Sequence, residues 1–310
     1  MENTRAKTTR NSLILLLTAT IWGMAFVSQS KGMDYMHPFT FNGVRSLIGA
    51  AGILVYILIS RKIAGDKAAK LDWKLNVKAG LLCGIFLTIA STLQQFGIKY
   101  TSVGKAGFIT TLYIIFVPMF GIFLKKKVAP VVWAAAGMAA VGMYLLCMTE
   151  SLRLGAGDIM VFLCAIAFAI QIMTVDHYAA RIDGAVVSCI QFTVCGVVCC
   201  IGALIWGQPT FGQIQEGLGA LLYAGVLSCG VGYTLQIVGQ KGLNPTVAAL
   251  IMSLESVIAT ISGWIAYKIG FLSTDQTLTS RQIAGCVIVF AAVILVQLPP
   301  EWFRFGKKNA

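Results

Sequence analysis

Charge is scarce in this chain. Of its 310 residues only 12% are Asp, Glu, Lys or Arg, where a soluble domain carries about 25%. Hydrophobic residues make up 57%, and the mean hydropathy is +0.81. These values exclude a soluble globular protein and leave a polytopic membrane protein. Acidic residues are scarcer still, 12 against 24 basic ones. The formal charge of +12 is not that of a nucleic-acid binder, because no stretch sets basic residues among exposed aromatics. The basic residues sit instead in short loops between apolar runs, where they set topology.

Histidine is nearly absent. His37 and His177 lie in loops far apart in sequence, which argues against a metal site. No CxxC occurs. Cys83, Cys147, Cys164, Cys189, Cys195, Cys199, Cys200, Cys229 and Cys286 all fall inside apolar runs and read as small packing residues rather than disulfides or ligands. There is no Walker motif, so ATP is not the direct energy source; the GAG at 155–157 lacks a third glycine and a preceding strand. No Ser/His/Asp, HExxH or paired-carboxylate constellation appears in the apolar runs. Catalysis and a cofactor are therefore not expected.

What is present is apolar and continuous. Ten runs can be marked, at roughly 12–30, 38–60, 79–98, 104–124, 130–148, 158–175, 185–206, 217–239, 245–267 and 282–299. Each is long enough to span a bilayer. None alternates, so the fold class is all-α with ten transmembrane helices rather than a barrel. The basic start MENTRAKTTR resembles that of a signal peptide, but the following apolar segment lacks a cleavage site and opens a series of spans. It reads as a retained first helix.

Lys and Arg orient the chain. With the N-terminus cytoplasmic, the inside segments hold the larger share of the basic residues, including Arg61, Lys62, Lys67, Lys70, Lys74, Lys125, Lys126, Lys127, Arg181, Lys241, Arg304, Lys307 and Lys308. The outside segments hold 6: Lys31, Lys99, Lys105, Arg153, Lys268 and Arg281. Both termini are expected in the cytoplasm.

The sequence also repeats. Region 84–126 overlays 226–268 at a constant shift of 142 residues. Thr92-Leu93-Gln94 falls on Thr234-Leu235-Gln236, Gly97 on Gly239, Lys99 on Lys241, and Tyr113 on Glu255. More weakly, 44–50 resembles 190–196, with Gln191 where Arg45 stands. Residues 1–150 and 151–310 thus read as two units of five helices. Five is odd, so the second unit must enter the membrane from the opposite side. Inverted repeats of this kind build many secondary transporters, with the site at the midplane between the halves.

Four stretches then carry a resemblance: ATIWGMAFVSQ (19–29), PFTFNGVRSLIGA (38–50), GIKYTSVGKAGFITTLYIIFVPMFGIFLKKK (97–127) and GLNPTVAALIMSLESVIATISGW (242–264). In this order and spacing the chain resembles EamA-type members of the drug/metabolite transporter superfamily, over its whole length. The resemblance implies export or exchange of small metabolites, such as amino acids or related amines, across the bacterial cytoplasmic membrane. It departs at Ser256, where the family often has proline after the acidic residue, and at Lys125-Lys126-Lys127, where the fourth helix often ends acidic.

Only Arg45 and Glu255 are charged well inside the spans. Ionisable residues at such depth mark a pathway or a partner. A centred charge costs about 2.5–3.5 kcal/mol on insertion scales, so Glu255 needs a water-filled cavity, a partner or a proton. Ala248, Met252, Ala259 and Ser262 share its helix face, which suits tight packing or a cavity wall. Arg45 reads as either a topological anchor or a substrate contact. Tyr113, Trp22, Gln94, Gln236 and Asn42, with Gln29, Gln95, Gln171, Gln191 and Tyr233, are the further polar or amphipathic residues at depth; each is either an interhelical tie or a wall of a mildly polar cavity. Pro118 should kink the fourth helix, and Gly80 and Gly84 should bring two helices close.

The leading expectation is a secondary transporter, an exporter, working by alternating access around Glu255, Tyr113, Trp22, Gln94, Gln236, Arg45 and Asn42. Its partners would be a small-molecule substrate, protons as a candidate coupling ion, and lipid, in a monomer or weak dimer. A multidrug transporter is the near alternative. An intramembrane enzyme lacks a catalytic cluster, and a scaffold or sensor would show a packed midplane without a cavity.

Overall fold

A computed structural model describes residues 2–65, 71–124, 130–147, 155–273 and 275–297. The topology-setting residues Lys67, Lys70, Lys125, Lys126, Lys127, Arg153, Arg304, Lys307 and Lys308 lie outside them. Ten main helices follow the apolar runs. They are α1 Glu2–Gly32, α2 Pro38–Ala64, α3 Trp73–Ile98, α4 Val103–Phe123, α5 Pro130–Cys147, α6 Ala156–Tyr178, α7 Gly184–Gly207, α8 Leu218–Gln240, α9 Pro245–Lys268 and α10 Ser280–Gln297. Eight are long and apolar enough to cross a membrane; α5 and α10 are shorter apolar helices. A short helix, Phe211–Glu216, joins α7 to α8.

Local chemistry sets the helix starts. Asp72 accepts the Leu75 N–H at 2.9 Å to open α3, and Asp183 accepts those of Ala185 and Val186 to open α7. Asn244 accepts the Thr246 N–H at 2.9 Å ahead of Pro245, as the sequence leads one to expect for α9. Thr279 and Gln282 cap each other reciprocally at the start of α10. His177 stands in the last turn of α6, not in a loop.

The helices exchange partners in a symmetric way. α1 packs on α8 and α9, and α6 packs on α3 and α4. α2 packs on α8, and α7 on α3. The remaining large contacts pair α2 with α7, α4 with α9, and α5 with α10. Adding five to a helix number, cyclically, returns the same set. Gly80 and Gly84 bring α3 onto α7: a Cβ on either would stand 2.6 and 2.9 Å from Ile190 and Val194. Outward faces carry large apolar side chains such as Leu54, Leu58, Ile85, Phe162 and Ile201, while Asn42, Arg45, Gln94, Gln171, Gln191, Gln236 and Glu255 are buried. Apolar outside and polar inside is the order that lipid as a solvent selects.

Candidate functional site

Two of the helices crossing at the centre are interrupted. α4 breaks at Leu112 and α9 at Ser253, where the backbone tightens (ψ −10° and −15°). A hydroxyl accompanies each break. Thr111 Oγ1 donates back to the Phe108 carbonyl at 2.8 Å, and Ser253 Oγ to the Leu250 carbonyl at 2.7 Å. Such back-bonding competes with the helical ladder and bends it. Thr111 and Ser253 are 142 residues apart, as are Phe108 and Leu250. Pro118 sits inside the continuing helix Tyr113–Phe123, six residues past the break at Leu112. Pro118, expected from the sequence to kink the helix, is thus a feature separate from the break at Leu112. The missing proline after Glu255 likewise does not prevent a break in α9.

The break makes Glu255 the second residue of a new helical segment, Leu254–Lys268. The dipole at that N-terminus favours a carboxylate. Tyr113 Oη donates to Glu255 Oε1 at 3.0 Å, so the two repeat mates touch. Both are almost fully buried. Tight packing surrounds them. A Cβ on Gly23 of α1 would lie 2.7 Å from the Glu255 carbonyl, and one on Gly107 of α4 would lie 2.9 Å from the Ala259 Cβ. The small face of α9 thus serves close packing with α1 and α4.

A cavity of about 30 Å³ lies beside this pair. At ~10–15 Å³ per water site it has room for about two waters. Its wall includes Trp22, Gln29, Arg45, Gln94, Tyr113, Phe168, Gln171, Phe192, Tyr233, Gln236 and Glu255. Six of the seven residues expected at the site from sequence therefore meet here. The seventh, Asn42, does not. Its Nδ2 donates to the Ser91 carbonyl at 2.9 Å and ties α2 to α3. Gln95 similarly ties α3 to α1 through the Gln29 carbonyl.

Two residues on the wall extend the repeat where sequence reasoning missed it. Phe26 and Gln29 mate with Phe168 and Gln171, again at a shift of 142, within AFVSQ (25–29) and AFAIQ (167–171). The shared AFxxQ was the available signal. Gln236 Nε2 donates to Gln171 Oε1 at 3.2 Å, and Gln171 Nε2 points to Gln191 Oε1 at 3.5 Å. In the other half Gln94 Nε2 donates to Thr110 Oγ1 at 3.2 Å. Rings line the rest: Tyr233 stands 4.5 Å from Trp22 and 5.0 Å from Phe192, centroid to centroid.

The wall holds buried polar atoms without partners. Trp22 Nε1 and Arg45 Nε are donors; Gln29 Oε1 and Gln236 Oε1 are acceptors. The Arg45 guanidinium lies 5.4 Å from the Phe41 ring. Arg45 and Glu255 do not pair with each other; the only ion pairs among the described residues are Lys31–Asp34 and Lys105–Asp158. Among the described residues no group of three or more His, Cys, Asp or Glu could hold a metal ion.

The comparisons with known proteins cover nearly the whole chain. The model of the EamA-like transporter family matches residues 10–148 and 155–298. An uncharacterized transporter of Archaeoglobus fulgidus is 27% identical over 290 residues, 92% of this chain and 84% of that protein. An uncharacterized transporter of Bacillus subtilis, YwfM, is 24% identical over 295 residues, 94% of each. A solved structure titled "Crystal structure of protein" superposes with a TM-score of 0.73 at 16% identity, covering 96% of this chain and 99% of that one. With the family model matched in both halves, this multi-pass membrane protein belongs to the EamA-like transporter family, of the drug/metabolite transporter type.

Proposed function

We propose that the protein is a secondary transporter that exports small zwitterionic metabolites, amino acids or close relatives, across the cytoplasmic membrane. The observation that carries this reading is the pair of unmated charges in one cavity. Arg45 and Glu255 are both buried on its wall and neither has an ion-pair partner among the described residues. A substrate with a carboxylate and an ammonium group would satisfy both, at the two ends of a short molecule. Trp22 Nε1 would add a donor for the anionic end, and Gln29 and Gln236 would add acceptors for the cationic end. With substrate absent, a proton on Glu255 would remove the cost of its charge, which makes exchange of substrate for protons the favoured coupling. Two five-helix units, 1–150 and 151–310, would rock about the cavity, the breaks at Leu112 and Ser253 serving as its moving edges. The charge bias of the loops supports cytoplasmic termini, and the chain would act as a monomer or weak dimer.

A second reading has its own support. The Trp22–Tyr233–Phe192 ring cluster beside Glu255 would also suit an organic cation. Arg45 opposes it, because a simple cation leaves the guanidinium unpaired.

Purified protein in liposomes tests the choice. Counterflow of amino acids, simple amines and carboxylic acids should be measured with and without a pH gradient, beside Glu255→Gln. Zwitterions should exchange fastest, and Glu255→Gln should lose about tenfold or more. A Glu255→Gln protein that carries every substrate normally at all pH values would refute the role of Glu255.

A further inference from the structure

A second cavity lies at the end of the bundle that carries the start of α1, well apart from the central one. Its volume is about 630 Å³. The last turns of α2 and α8, the first turns of α3 and α7, and the α6–α7 loop enclose it. Arg61, Arg181 and Lys241 share its wall. None of the three forms an ion pair among the described residues. Lys241 Nζ donates to the Ile182 carbonyl at 3.2 Å, and Arg181 reaches the His177 carbonyl at 3.4 Å. These are neutral acceptors that leave the positive charge uncompensated.

Two carboxylates, Asp72 and Asp183, also face the cavity, but both are committed to backbone N–H groups at helix starts. Three cations against these two carboxylates leave the wall one positive charge in excess. Its other side is apolar: Tyr56, Ile57 and Val238, with Tyr56 exposed on the outer face. A basic rim over an apolar wall, at helix ends, matches an amphiphile with an anionic head.

The opposite end of the same four helices provides the contrast. There His37, Phe39, Phe96 and Trp206 pack ring on ring, with centroids 5.1 to 5.8 Å apart.

We propose that this cavity binds an anionic phospholipid. The headgroup phosphate sits among Arg61, Arg181 and Lys241, and an acyl chain runs along Tyr56, Ile57 and Val238. The shared chemistry is a phosphate ester, and the apolar wall selects its lipid source over a soluble one. The site is independent of the central cavity and of what that cavity transports.

Thermal unfolding of the full chain in detergent tests this, with added phosphatidylglycerol, phosphatidylcholine of the same acyl chains, or glycerol phosphate. Phosphatidylglycerol should raise the midpoint by about 4 °C. Phosphatidylcholine and glycerol phosphate should not, and Arg61→Gln/Arg181→Gln/Lys241→Gln should lose the shift. Native mass spectrometry of Arg181→Gln alone, at an exposed position, guards against misfolding of the triple variant. It should retain phosphatidylglycerol severalfold less well than the wild type. Equal shifts from all three additives, a shift from glycerol phosphate alone, or undiminished retention by Arg181→Gln would each overturn the proposal.

Discussion

At the scale of single residues, the pair Tyr113 and Glu255 organises the centre of the molecule. The phenol gives the carboxylate its one observed side-chain hydrogen bond, in surroundings where a lone charge costs several kcal/mol. Tyr113→Phe should therefore lower stability by about 1–3 kcal/mol, read as a drop in the thermal midpoint of the purified protein. An unchanged midpoint would mean that Glu255 finds its stabilisation elsewhere. Both residues were legible in the sequence, Glu255 from its depth and Tyr113 from the repeat. Asn42 shows the limit of that method. Depth and polarity mark a residue as costly, but not which way it faces. Asn42 turns to the Ser91 carbonyl instead of the cavity. Gln29 and Gln171 show the converse, since their AFxxQ match needed only the same shift carried into the first helix of each half.

At the scale of helices, the interruptions in α4 and α9 are the parts that the proposed mechanism would move. Thr111 and Ser253 stand at them, with hydroxyls that bond back to Phe108 and Leu250. The sequence does not announce them, because a hydroxyl bends a helix only when its rotamer allows. Ser253→Ala should straighten α9 and slow counterflow by about tenfold, with folding retained. Normal rates would separate the break from transport. The π-helical stretch Tyr223–Gly232 in α8 has no counterpart in α3, which runs regularly from Trp73 to Ile98. The shared TLQ motif gave no warning of that difference. Near one end of the bundle, Lys105 Nζ and Thr101 Oγ1 hold Asp158 Oδ2 and Oδ1 at 2.6 and 2.9 Å, joining α4 and its preceding loop to α6. Asp158→Asn should cost about 1–3 kcal/mol by breaking this buried tie. Thermal unfolding checks it, and no loss would make the pair a surface-like contact.

At the scale of the whole molecule, the large helix contacts run mostly between the halves. α1 and α2 rest on α7, α8 and α9, and α6 and α7 rest on α2, α3 and α4. The ten helices and the inverted order were legible because apolar length and an odd repeat leave few alternatives. The interleaving was not, since periodicity says that a face is buried but not against which helix. Residues 1–150 or 151–310 expressed alone should fail to give a stable protein, and co-expression should restore one. A stable isolated half would show that each five-helix unit makes its own core.

The narrow cavity joins these scales, because two similar halves place one cation and one carboxylate on its wall without letting them pair. Equilibrium binding to the purified chain in lipid nanodiscs tests this most directly, with an amino acid, its decarboxylated amine and its deaminated acid. The wild type should prefer the zwitterion by about tenfold over both, about 1.4 kcal/mol. Arg45→Gln should erase the preference over the amine, and Glu255→Gln the preference over the acid. Equal binding of amine and zwitterion by the wild type, or a preference untouched by either substitution, would contradict the account.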